Sequence, residues 1–118
     1  MIMKRNNDTV FIGGDIYRQA AYGDNHPLTI PRVGPVMDVC RHMGWLDDDA
    51  YVESPQANWE DLTRFHVPAY VDAVIEVEQV GKADAQLREN FGLGTLENPV
   101  FTGLYERAAT NCGGSIHA

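Results

Sequence analysis

The run Phe101, Leu104, Tyr105, Ala108, Cys112 and Ile116 constrains this chain more than any other feature. Its spacing of three and four residues lays apolar side chains along one face of a helix. Such a face needs an apolar partner, so the chain is expected to fold around it rather than remain extended. The stripe reaches Ala118 without a glycine cap, and the helix is therefore expected to continue into a further segment or to meet one.

One domain is the most that 118 residues allow. A hydrophobic fraction of 44% with 22% charged residues is ordinary for a globular protein and excludes disorder as the dominant state. Acidic residues outnumber basic ones 17 to 9, for a net charge of −8, so no nucleic acid and no anionic membrane is expected as partner. No apolar run reaches the roughly 18 residues of a membrane span. Residues 1–8 lack the apolar core of a signal peptide. Two cysteines, Cys40 and Cys112, are too few for a disulfide framework and suit a reducing, cytoplasmic compartment.

Along the chain, Thr9-Val10-Phe11-Ile12 before Gly13-Gly14 predicts a buried strand. Residues 15–30 are rich in Asp, Gly, Asn and Pro and predict a long loop of the kind that carries function. Pro31 is expected to open a helix with Val33, Val36, Met37, Cys40 and Met43 on one face and Gly44 after its end. A second strand is expected at Ala50-Tyr51-Val52. Asn58 reads as the cap of a short helix carrying Trp59, Leu62 and Phe65 on one face. Pro68 to Gly81 bounds another helix, although Val74 to Val80 also scores as alternating. A polar helix over 83–90 precedes a second irregular segment, 91–99, and then the final stripe.

Three apparent motifs fail on their spacing. Gly13-Gly14 and Gly92-x-Gly94 lack the further glycines of a dinucleotide turn. Asp24-x-His26 has the spacing of a metal pair but no third ligand in sight. His42, His66 and His117 stand at no metal-ligand spacing, and neither cysteine is placed at a helix start that would activate it. From its residues alone the chain carries no complete catalytic site and no metal site. Two loops still concentrate unusual residues. In Tyr22 to Val33, Arg32 sits at a helix start, where a cation opposes the dipole; it is either solvated or held inward by carbonyls or an anion. In 91–99, Glu97 is either a solvated carboxylate or one that faces a substrate.

Four segments, taken in order, carry a resemblance: Asn25-His26-Pro27-Leu28-Thr29-Ile30-Pro31-Arg32-Val33, Leu62-Thr63-Arg64-Phe65-His66-Val67-Pro68-Ala69-Tyr70, Gly92-Leu93-Gly94-Thr95-Leu96-Glu97-Asn98-Pro99-Val100-Phe101, and Gly113-Gly114-Ser115. Together they make the chain similar to the amino-terminal part of the zinc-dependent histone deacetylase family, in its bacterial deacetylase-like and acetoin-utilisation branch. The resemblance implies an α/β fold, the amino-terminal portion of an arginase/deacetylase-type open parallel sheet flanked by helices. It implies one incomplete domain over 1–118. In the family a zinc ion held by Asp, His and Asp, with a His pair, hydrolyses acetyl amides. The resemblance assigns none of those residues to this chain, and no cofactor of its own. What it assigns is peripheral. Tyr22 and Arg32 match residues of an internal cavity where a guanidinium holds departing acetate. Pro27 matches a wall of the acyl-lysine tube, and Glu97 the rim carboxylate that accepts substrate N–H bonds. Leu96 stands where some relatives have an aromatic rim residue.

Three readings follow. The first is an amino-terminal deacetylase segment, inactive alone, for acetylated lysine or amine substrates; it exposes unpaired faces and so forms a homo-oligomer or joins a complementary fragment. The second is a free-standing acidic interaction domain derived from that fold. The third is a compact enzyme with its own metal site around Asp24, His26 and a further ligand, which stoichiometric zinc in the purified chain would mark.

Overall fold

The computed structural model describes residues 9–19, 22, 23 and 26–118. Residues 1–8, read above as free of a signal peptide, lie outside the described residues, as does Asp24. Strand β1 (Phe11–Gly13) and strand β2 (Tyr51–Glu53) pair in parallel, with Phe11 opposite Tyr51, Ile12 opposite Val52 and Gly13 opposite Glu53. Parallel pairing needs a crossover, and helix α1 (Val33–His42) supplies it. The rest is helical: α2 (Trp59–Leu62), α3 (Pro68–Val80), α4 (Ala85–Phe91) and α5 (Leu104–His117). The architecture is α/β, as expected from the sequence.

Local chemistry sets most of the boundaries. The Asn58 side chain accepts the Asp61 N–H at 2.8 Å to start α2, and Asp84 does the same for the Leu87 N–H, also at 2.8 Å, to start α4. Pro68 occupies the first turn of α3, and Gly81 ends the helix in the left-handed region at φ 87°. The alternating pattern over 74–80 is therefore helical. Gly92, half of a failed glycine motif, has a plain role: at φ 70° it closes α4.

Four expectations are corrected. Helix α1 starts at Val33 and not at Pro31, because the Arg32 carbonyl is its first acceptor, taking the Val36 N–H at 3.0 Å. Arg32 is thus the residue before the helix. The loop over 15–30 contains two single 3₁₀ turns, Asp15–Arg18 and Pro27–Thr29. Phe65 does not share a face with Leu62: α2 ends at Leu62, and Phe65 beyond it is 88% exposed. In α5 the apolar stripe is buried only in part, Leu104 fully and Tyr105 and Cys112 halfway, and the deepest face is offset from it. Ala108 and Ile116 are exposed and Phe101 precedes the helix, whereas Leu104, Ala109, Thr110, Gly113 and Gly114 are buried.

The core lies around α3. Ala73, Val74 and Val77 pack with Leu93 and Leu104, while Val71 packs with Ala57, Leu62 and Ala109. The small-residue face of α5 meets the segment after β2 backbone to backbone. The Ala57 N–H donates to the Ala109 carbonyl at 2.9 Å, and the Ser54 hydroxyl donates to the Thr110 carbonyl at 2.7 Å. A Cβ on Gly113 would overlap the Pro55 carbonyl oxygen, and one on Gly114 would stand 2.5 Å from Ser54 Oγ. Two glycines are what permit this approach.

Candidate functional site

The first half of the chain places a cleft of about 380 Å³ between the turns at 15–18 and 27–29 and the start of α5. Tyr22, Ile30, Arg32, Arg18, Arg107 and Asn111 are among the residues lining it. Tyr22 and Arg32, singled out from the sequence, therefore share one cleft. Its three guanidiniums are not equivalent. Arg18 is engaged by Asp38 through two bonds of 3.0 and 2.7 Å, with Asp15 at 3.4 Å. Hydrogen bonding between Arg18 and Asp38 raises the guanidinium above its usual range and holds the Asp38 carboxyl below its own. Arg107 donates to the Ile16 and Gln19 carbonyls at 3.1 and 2.8 Å, which fastens the 15–19 segment to α5. Among the described residues Arg32 makes one long contact, 3.5 Å to the Ile30 carbonyl. At that length the bond is weak, so Arg32 is the lining cation with donors to offer an anion.

Next to the cleft the two loops meet. Nε2 of His26 lies 2.9 Å from the Glu97 carbonyl, across 71 positions of sequence. Nδ1 of the same ring receives the Leu28 N–H at 3.1 Å and so caps the turn that begins at Pro27. Tyr22 stacks on His26 at 4.5 Å between ring centroids and leans on Phe101 at 5.1 Å. Pro27 and Glu97 are both exposed at this junction. The Glu97 loop is itself braced: the Gly94 N–H donates to the Asn98 carbonyl at 2.9 Å, and Arg88 to the Gly94 carbonyl at 2.7 Å. Behind the junction, Tyr22 also bounds an apolar hollow of about 200 Å³ shared with His66, Tyr70, Leu93, Tyr105 and Cys112.

The structure places Tyr22 and Arg32 in one cleft and Pro27 and Glu97 on either side of the His26 contact, with Tyr22 stacked on His26 between the two groups. Sequence reasoning missed Arg107 and Asn111, whose spacing of four on α5 puts both on the cleft side, and it missed the bridging by His26. Of the Asp24–His26 pair, Asp24 lies outside the described residues, and both nitrogens of His26 are engaged by backbone groups. Among the described residues no group of three or more His, Cys, Asp or Glu is placed to hold a metal ion, so these residues do not by themselves fit a zinc ion. Cys40 and Cys112 are free and half-buried. No helix among the described residues is long and apolar enough to cross a membrane.

Comparison with known proteins bears directly on this arrangement. The family model for the histone deacetylase domain matches residues 26–118. The acetoin utilization protein AcuC of Bacillus subtilis is 33% identical over 111 residues, covering 94% of this chain and 28% of that protein. Histone deacetylase 1 of Oryza sativa subsp. japonica is 34% identical over 97 residues, 80% of this chain and 18% of its own length. The crystal structure of a histone deacetylase homologue complexed with SAHA superposes with a TM-score of 0.87 at 28% identity, over 92% of this chain and 29% of that one. A homologue from Aquifex aeolicus gives a TM-score of 0.86 over the same shares. The chain spans less than a third of the length of each of these proteins.

Proposed function

The chain belongs to the histone deacetylase family, and from that premise we propose that it is an amino-terminal segment supplying the rim and inner cavity of an acetyl-amide hydrolase, without the groups that perform the cleavage. The carrying observation is the His26–Glu97 contact, which sets the Pro27 wall and the Glu97 loop side by side across 71 positions. In this reading Glu97 accepts N–H bonds from an acetylated lysine or amine, and Pro27 lines the path of the acyl chain. Tyr22 and Arg32 receive the departing acetate in the cleft, where a guanidinium with spare donors binds a carboxylate by charge-assisted bonds. The zinc ion and His pair of the family belong to residues outside this chain, which alone is inactive. A cytoplasmic setting is part of the proposal and accords with two free thiols.

The same reading requires a partner. Val33, Val36, Val39, Met43 and Trp45 are 37%, 52%, 55%, 54% and 65% exposed around α1, an apolar surface that a complementary segment of the deacetylase domain or a second copy would cover. The test is an acetyl-lysine deacetylation assay with zinc present, on the 118-residue chain alone and in a covalent fusion to the remaining length of a deacetylase relative. Turnover only in the fusion, lost on Arg32→Ala, is expected. Turnover by the chain alone overturns the proposal. The exposed α1 surface also favours a second reading, an acidic interaction domain derived from this fold; a stable monomer by light scattering that captures a protein other than a deacetylase segment would select it.

A further inference from the structure

His26 carries two backbone contacts of opposite sense. A carbonyl only accepts, so Nε2 must bear the hydrogen that bonds to Glu97; an amide N–H only donates, so Nδ1 must offer Leu28 a lone pair. Only the neutral imidazole with its hydrogen on Nε2 satisfies both at once. The Tyr22 ring, stacked at 4.5 Å and 22°, holds the imidazole plane, and the Thr29 hydroxyl donates to the Tyr22 carbonyl at 3.2 Å to close the turn beneath it. The two loops so joined share no secondary structure.

We propose that His26 is the positioning residue of the rim, a proton-sensitive clasp that fixes the distance between the Pro27 wall and the Glu97 carboxylate. Its functional meaning rests on the rim reading above; its chemistry does not. When the ring gains a proton, Nδ1 becomes a donor facing the Leu28 N–H, and the capping bond is replaced by donor against donor. The Pro27 turn then loses its cap and shifts against the Glu97 loop, to which Nε2–H still holds the ring, while the helical core stays intact. Tyr22 stacks on the ring from its own loop, Glu97 holds it from the loop after α4, and His66 shares the hollow behind Tyr22.

The experiment is NMR of the ¹⁵N-labelled 118-residue chain, with long-range ¹H–¹⁵N spectra of the histidine rings and amide spectra from about pH 7.5 to 5, the range in which histidines take up a proton. The expected result is an Nε2–H tautomer for His26 at the upper end. Leu28 should lose amide protection on acidification, and Leu28 and Glu97 amide shifts should follow the His26 ring midpoint. Neither should follow the His66 ring signals, and Val77 should stay still. In His26→Asn, a shorter side chain that still caps the turn, Leu28 should remain protected at every pH while the Glu97 amide shift no longer follows a histidine midpoint. An Nδ1–H tautomer, or Leu28 and Glu97 signals that ignore the His26 midpoint, would overturn the clasp. Because nothing here reads turnover, a failed clasp and a failed hydrolase reading give different results.

Discussion

Helices α1 and α3 both carry apolar residues at helical spacing, the cleaner stripe on α1, and meet opposite fates. On α3, Val71, Ala73, Val74 and Val77 are all buried, Val77 completely. On α1 only Gly34 and Met37 are buried; Met37 reaches the strands at Gly13, and Gly34 lies against the Arg18 side chain. Val33, Val36 and Val39 face outward. Helix α3 sits between α4, α5 and the loop at 91–100, whereas α1 touches the rest of the chain along one narrow line. Periodicity says that a face seeks an apolar partner; it does not say whether this chain contains that partner.

Four changes would break or sharpen the contrast. The largest effect is expected where no apolar stripe exists, at the seam between α5 and the segment after β2. Gly113→Val should destabilise the chain by at least about 3 kcal/mol in urea titrations, because the side chain would enter the Pro55 carbonyl. Retained stability would mean that the backbones are not in contact. Next comes the comparison itself. Val77→Ala should cost about 2 kcal/mol, and Val36→Ala less than about 0.5 kcal/mol, since one site is sealed and the other open; equal losses would erase the distinction. Third, Val36→Lys with Val39→Lys should leave the melting temperature nearly unchanged but lower the mass seen by light scattering, or abolish joining to a complementary segment. The smallest effect is at Asp38, exposed on α1 and bound to Arg18. Its carboxyl is held below the usual range, chiefly by hydrogen bonding to Arg18, so the pair's contribution is present above the ordinary carboxylate range and is lost as the pH falls through the lowered value. Asp38→Asn should lower the melting temperature slightly at neutral pH, with the gap closing by about pH 3.

Much of the fold was legible because the signals were local. Asn58 as a cap, Pro68 and Gly81 as bounds, and the strand before Gly13 all act through neighbours in the chain. The start of α1 was misplaced because Pro31 suits a first turn as well as the position before it, and the chain has a second proline, Pro35, inside the true first turn. The buried face of α5 was missed for a deeper reason. Glycine, alanine and threonine carry little hydropathy, and their role there is to allow an approach that only the tertiary structure defines. The candidate site divides the same way. Tyr22, Pro27, Arg32 and Glu97 stood out by family pattern, but the contact that brings the Pro27 turn to the Glu97 loop, Nε2 of His26, acts across 71 positions that no local rule connects.

Tyr22 has a consequence of a different kind. Among the described residues, the Tyr22 ring lines both the cleft and the apolar hollow, so the two spaces share a wall. Turning that ring to enlarge one room takes floor space from the other. Whatever shapes either interior over evolutionary time must therefore answer to both, and the residue at this position serves two tenants whose demands are chemically opposite.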